Sequence, residues 1–252
     1  MKYLAAIQAR YSSTRLPGKI LMDLGGKPVI QRVIERVERS AFVDEVMVIT
    51  SVNKEDIKTL HTVSALGRRV AAGSEDDVLD RYYQCTRLLE PQYVIRVTAD
   101  CPVFDPKLLD AAIVQMGDAD YTASLTNTLP DGTDIEVMKF SALQRAWEQA
   151  QLASEREHVT LYIRNHPELF VLQDFVCPLG NLEGERWTLD EPTDYQFLQK
   201  IYEHFGGEDF YTEDILQYLD ENPGLRDIND GIMRNEGLQK SLENDRITDP
   251  VQ

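Results

Sequence analysis

Leu4-Ala5-Ala6-Ile7-Gln8-Ala9-Arg10-Tyr11-Ser12-Ser13-Thr14-Arg15-Leu16-Pro17-Gly18-Lys19-Ile20-Leu21 is the stretch on which the reading of the chain turns. Residues 4–7 are a short, continuously apolar run, the pattern of a strand covered on both faces. Residues 8–19 break it: no hydrophobic period, but three cations (Arg10, Arg15, Lys19), three hydroxyls (Ser12, Ser13, Thr14) and Pro17-Gly18. A loop leaving the carboxyl end of a buried strand offers backbone N–H groups and hydroxyls to an anion, while neighbouring cations neutralise its oxygens. The bland alternative is a basic surface loop, since loops are polar anyway. The spacings Gly-x-x-x-x-Gly-Lys-Ser/Thr and Gly-x-Gly-x-x-Gly are both absent, so neither a Walker-type NTPase nor a Rossmann dehydrogenase is supported.

Outward from this loop, strands and helices alternate. Gly25-Gly26-Lys27-Pro28 leads into the stripe Val29, Ile30, Val33, Ile34, Val37, with Pro28 suited to a helix's first turn. Strands are expected at 45–50, 69–72, 93–98 and 121–124. Between them lie three helices: one capped by Asn53 and stopped at Gly67, one opened by the Ser74–Asp77 capping box and running to Leu89, and one capped by Asp105 through Met116. This alternation implies an α/β fold with a mainly parallel central sheet and helices on both faces, ligands binding beyond the strands' carboxyl ends. The second half is less regular: a turn at Pro130-Asp131-Gly132, strands at 135–138, 170–175 and 186–189, and helices at 142–151 and 154–165. Asp190 is expected to cap a helix carrying Phe197, Leu198 and Ile201, and Thr212 another ending before Asn222-Pro223. Residues 1–225 read as one domain, and 226–252 as a polar, turn-rich tail, mobile or docked on a partner.

With 252 residues, 42% of them hydrophobic, the chain can build a core of ordinary size. A net charge of −17 disfavours nucleic acid and anionic membranes as partners, yet leaves room for a nucleotide held by the local cluster Arg10, Arg15, Lys19 and Lys27. No apolar run approaches the roughly 18 residues of a membrane span and no signal peptide is evident, so a cytoplasmic location is expected. Cys85, Cys101 and Cys177 match neither a disulfide framework nor a zinc pattern and read as reduced thiols.

Two acids stand out. Asp100 directly follows the strand at 93–98, where a carboxylate can hold a hard cation near phosphates; a cap ahead of Pro102 is the alternative. Asp190, after Trp187-Thr188-Leu189, has the same two readings.

Residues 9–19 closely resemble the nucleotide-binding loop of the sugar-acid cytidylyltransferases, including the 3-deoxy-manno-octulosonate enzymes. Over about residues 3–205 the chain looks closer still to their relatives in spore-coat polysaccharide biosynthesis. The resemblance implies a nucleotide-diphospho-sugar transferase-like three-layer sandwich and an enzyme transferring CMP from CTP to the anomeric hydroxyl of an acidic sugar, releasing pyrophosphate. It places Gln8, Ala9, Arg10, Ser12, Arg15, Lys19, Ser74 and Arg81 at the nucleotide and Asp134, Glu136, Glu157 and His158 at the sugar. It gives Arg10, Lys19 and Asp100 catalytic roles, and Asp100 and Asp190 a magnesium ion (Mg2+), in a homodimer. The bland readings stay open at Ser74, a helix cap, and at Glu155–Glu157, a solvated first turn. His158 and Tyr162 echo a His-x-x-x-Tyr spacing of the octulosonate enzymes. Two rival functions share this pattern: a hexose 1-phosphate nucleotidyltransferase and a non-catalytic nucleotide-sugar binding protein.

Overall fold

A computed structural model of the protein describes residues 1–13, 15–207, 209–232, 234 and 236–247; Thr14 of the basic loop therefore lies outside the described residues. The strands are β1 (Tyr3–Gln8), β2 (Asp23–Leu24), β3 (Lys27–Pro28), β4 (Glu45–Ser51), β5 (Arg69–Gly73), β6 (Tyr93–Thr98), β7 (Tyr121–Ala123), β8 (Glu136–Lys139) and β9 (Leu172–Asp174). The helices are α1 (Val29–Val37), α2 (Ile57–Ala65), α3 (Val78–Thr86), α4 (Pro106–Met116), α5 (Phe140–Gln149), α6 (Ala153–Glu157), α7 (Leu161–Asn165), α8 (Pro192–Phe205), α9 (Thr212–Glu221) and α10 (Glu236–Glu243).

A seven-stranded sheet runs β5-β4-β1-β6-β8-β7-β9, with β2 and β3 as a separate hairpin. β1 sits between parallel β4 and β6, Leu4 facing Glu45 on one side and Val94 on the other. Only β8 runs antiparallel to its neighbours β6 and β7. The period of two sorts β1's side chains between the faces: Ala5 and Ile7 pack with Ile30 and Val33 of α1 and Leu109 of α4, while Leu4 and Ala6 pack with Tyr82 of α3 and Leu143 of α5. Fully buried apolar residues on both faces explain why β1 reads as an unbroken hydrophobic run. A third cluster joins Trp187, Leu189, Phe197 and Leu198 to Phe210 and Leu219.

Several local expectations are corrected. Residues 186–189 form no strand; Arg186 makes one isolated parallel bridge to Asp131. The helix expected over 154–165 is split into α6 and α7, with Val159 between them in the left-handed region at φ 50°. Three caps also differ. Asp77, not Ser74, caps α3, accepting from the Asp80 amide, while Ser74 Oγ accepts from the Asp77 amide one turn earlier. Glu191, not Asp190, is the N-cap of α8, and Tyr211, not Thr212, that of α9. In both, the acid at the third helical position, Asp194 or Asp214, reaches back to the cap's N–H group, the task a capping box assigns to that position. Among the described residues no helix is long and apolar enough to cross a membrane.

Candidate active site

The basic loop leaves β1 at the sheet's carboxyl edge, held there by the Ala9 amide donating to Ile49 O and the Ala99 amide to Gln8 O, both at 2.9 Å. Fully buried Asp56 turns it, accepting from the Tyr11 amide at 2.5 Å and from the Ser51 amide and hydroxyl. Gly18, at φ +72°, then lets the chain reverse beneath the Tyr11 ring, where a Cβ would lie 3.1 Å from a ring carbon. That reversal sends Lys19 inward, and its ammonium donates to Asp100 Oδ2 at 2.9 Å and to Asp190 Oδ1 at 2.7 Å. Arg15 approaches the other oxygen of Asp190 at 3.0 Å.

Asp100 stands directly beyond β6, its second oxygen accepting from Thr98 Oγ1 at 2.5 Å. Asp190 reaches the same place by another route. Its segment threads between Asp100 and the turn at Asp131-Gly132: the Leu189 amide donates to Asp100 O at 2.9 Å and the Trp187 amide to Asp131 O at 2.7 Å. The threading needs glycine at 132, where φ is +95° and a Cβ would stand 2.3 Å from the Thr188 nitrogen. Asp190's carboxylate is free of capping duty because Asp194, fully buried, accepts from the amides of Asp190 and Glu191 and from Nε and Nη2 of Arg186.

Two cavities meet at this carboxylate pair. One of about 870 Å³ is lined by Gln8, Arg10, Ser12, Arg15 and Lys19. The other, about 530 Å³, is lined by Asp134 and Glu136 together with Arg96, Tyr121, Asp131, Thr160, Arg186 and Arg234. Arg15, Thr98, Asp100, His158 and Asp190 border both. The remaining sequence candidates line neither: Ala9 is buried, Glu157 is exposed and accepts from Ser241 Oγ, Ser74 serves the turn before α3, and Arg81 is wholly buried. Arg81 packs against Gly73, and its three guanidinium nitrogens have no hydrogen-bond partner among the described residues.

The second cavity's cations were not legible as a set. Arg96 lies inside a strand, but a cation within an apolar ladder is a signal that a carboxylate faces it; here Glu136 does, while also accepting from Tyr121 and Thr160. Arg234 enters from beyond residue 226 and donates to Asp134 at 2.7 Å and to Leu129 O at 3.0 Å.

The electrostatics separate the acids. Burial raises Asp100, but the Lys19 ammonium and the Thr98 hydroxyl outweigh it and hold the carboxyl at about 2. Burial likewise opposes the Lys19 charge, but Asp100 and Asp190 together raise its pKa. Burial and then the charge of Asp134 push Asp131 up to about 6, against the pull of Arg234 and Arg186. Burial lowers His158, so a neutral imidazole stands where the cavities join. Among the described residues no group of three or more His, Cys, Asp or Glu side chains is gathered to hold a metal. Asp100 and Asp190, sharing one ammonium, fit instead a hard cation that takes two protein carboxylates and completes its shell from phosphate and water.

Residues 4–216 match the sequence model of a family described as Cytidylyltransferase. The chain is 37% identical over 230 residues to the spore coat polysaccharide biosynthesis protein SpsF of Bacillus subtilis, covering 87% of this chain and 95% of that protein. It is 35% identical over 118 residues to the 3-deoxy-manno-octulosonate cytidylyltransferase of Geobacter metallireducens, 46% of this chain and 45% of that one. Among solved structures it resembles a cytidylyltransferase from Leptospira borgpetersenii, with a TM-score of 0.86 at 29% identity, over 93% of this chain and all of that one.

Proposed function

The chain belongs to the cytidylyltransferase family, and from that premise we propose that it joins CMP from CTP to the anomeric hydroxyl of an ulosonic or nonulosonic acid, releasing pyrophosphate. The observation that carries the reading is the meeting of two cavities at one carboxylate pair: a cation-rich one for the triphosphate and a mixed-charge one for the acceptor. The reaction needs its two substrates in adjoining compartments with the reacting atoms at the junction, and Asp100 and Asp190 stand there.

In this reading Arg10, Arg15 and Lys19 bind the triphosphate and stabilise the charge that builds on the departing pyrophosphate, with Gln8 and Ser12 beside them. Ala9 contributes backbone, and Ser74 and Arg81, which do not line the nucleotide cavity, act on the nucleotide only through the residues they pack against. Asp100 and Asp190 would hold a divalent cation, magnesium, which when bound polarises the α-phosphate. Asp134, Glu136 and His158 orient the acceptor; Glu157 acts at a distance, through its contact with Ser241. The acceptor's anomeric hydroxyl oxygen forms its bond to the α-phosphorus as the bond from that phosphorus to the β-phosphate oxygen breaks, and the hydroxyl proton leaves to water. The same reading makes the enzyme a cytoplasmic homodimer with its catalytic domain at 1–225; the polar tail expected at 226–252 is, over its described residues, docked on that domain, where Arg234 lines the acceptor cavity.

The test is pyrophosphate release from CTP, UTP, GTP and dTTP across a panel of sugar acids and hexose 1-phosphates, with magnesium and with excess chelator. Release from CTP with an acid, abolished by chelator, is the expected result. Turnover confined to hexose 1-phosphates, or none with any acceptor, would overturn the reading.

A further inference from the structure

Five side chains, Arg15, Thr98, Asp100, His158 and Asp190, border both cavities, and in the proposed reaction the transfer takes place where they meet. A hydroxyl attacking phosphorus there gives up its proton, and the five differ in their ability to take it. Arg15 has no lone pair to offer. The Thr98 hydroxyl donates to Asp100, and Asp100 itself, held at about 2, is too weak a base at neutral pH. Asp190 has one oxygen on Lys19 at 2.7 Å and the other on Arg15 at 3.0 Å. That leaves His158. Its Nε2 is buried with no hydrogen-bond partner among the described residues, and a neutral imidazole always keeps one ring nitrogen able to accept a proton.

The backbone is strained to put the ring at this place. Val159, β-branched and wholly buried, stands at φ 50°, so the chain turns out of α6 directly after His158 instead of running on into α7. Helix α6 is itself fixed from two sides. Arg156 donates to Asp77 at 2.8 and 2.6 Å and to Trp147 O at 2.7 Å, and Ser154 donates its amide and hydroxyl to Asp245 at 3.1 and 2.6 Å. The charges facing the imidazole are Glu157 of α6, whose Oε2 is 3.9 Å from Nε2, Glu136 of β8 and Arg96 of β6, with Arg15, Asp100 and Asp190 sharing the junction. Burial keeps the ring neutral and ready to accept, and Glu157 and Glu136 offset the charge it gains on doing so.

We propose that His158 is the general base of the transfer: its free ring nitrogen takes the proton of the acceptor's anomeric hydroxyl as that oxygen bonds to the α-phosphorus. The electron pair of the broken phosphorus–oxygen bond leaves with pyrophosphate, and the imidazolium then passes its proton to water. This rests on the functional reading above, and it gives a residue that orients the acceptor a part in the chemical step.

The experiment uses the full chain with CTP and magnesium, and as acceptor whichever of 3-deoxy-manno-octulosonate, N-acetylneuraminate and the other acids of the panel gives the fastest pyrophosphate release. In the wild type kcat should fall as pH drops through the titration of the ring, which lies below the ordinary histidine value because burial disfavours its charge. Asp131, near 6 in the smaller cavity, titrates in wild type and variant alike, so the comparison isolates the part of this acid limb that belongs to the ring. His158→Gln should lose kcat about a hundredfold or more together with that part of the limb, while its affinity for CTP in calorimetry changes little. His158→Ala, which vacates the space, should regain rate in added imidazole, a response that loss of a merely structural contact does not give. Melting curves run beside the rates show that both variants are folded. A kcat within tenfold of wild type in the folded variants, an acid limb unchanged in His158→Gln, or a His158→Ala rate that imidazole leaves unmoved overturns this inference alone. No release with any acid of the panel overturns the functional reading and this inference with it.

Discussion

Replacing Asp190 by Asn separates chemistry from folding at this site. The Asp190 side chain is 21% exposed and takes Lys19 at 2.7 Å and Arg15 at 3.0 Å. Asn keeps one oxygen for one of these donors but loses the charge. A charge-assisted bond is worth about 1.5 to 3 kcal/mol and a neutral one about 1, so the net loss is about 1 to 2 kcal/mol after partial solvation. For a chain of this size that lowers Tm by about 2 to 8 °C. Nothing is added for a lost helix cap, because the α8 amino terminus is satisfied by Asp194. Asp194→Asn is the contrast: that carboxylate is fully buried and holds Arg186, Asn229 and two backbone amides, so its loss should cost about 3 to 5 kcal/mol. Pyrophosphate release by Asp190→Asn should fall about a hundredfold or more at temperatures where melting curves show it fully folded. If the rate falls only as the variant begins to unfold, or if its Tm drops as far as that of Asp194→Asn, Asp190 is a structural residue and its role at the junction is wrong.

Arg10→Ala should weaken CTP binding in calorimetry about tenfold or more while leaving Tm nearly unchanged, since Arg10 lines the nucleotide cavity with no ion pair among the described residues; an unaltered affinity refutes the triphosphate assignment of the first loop. Carboxyl titration by NMR should find Asp131 near 6 and Asp100 near 2. The signs differ. Asp100, depressed on folding, contributes stability present above the ordinary carboxyl value and lost as pH falls toward about 2, whereas Asp131, raised on folding, destabilises above about 6 and relieves that cost as pH falls from there toward its unfolded value. Lys19→Met should move the Asp100 titration upward; an unmoved midpoint would mean the ammonium is not what depresses it.

The parts of this protein legible in its sequence are those fixed by neighbours along the chain. The apolar run at 4–7, the alternation of strands and helices to residue 116, the cap at Asp105, the stop at Gly67 and the cation cluster of the first loop all depend on spacings of a few residues, and each stands where the spacing put it. The family resemblance drew on the same local pattern, and the match over residues 4–216 agrees with it. What the sequence could not give is set by contacts between distant segments. Local spacing makes Asp190 the end of a strand and the cap of a helix; it is neither, and it meets Asp100 only because Gly132 leaves room for the chain to pass at 187–188 and Asp194 takes over the cap. Arg96, Arg186 and Arg234 are isolated cations in the sequence, and only the folded sheet, the threaded segment and the chain returning ahead of α10 bring them to one cavity. A carboxylate's neighbours within four residues decide its backbone role, whereas its charge partners are chosen by which elements the core draws together, and no local spacing records that choice.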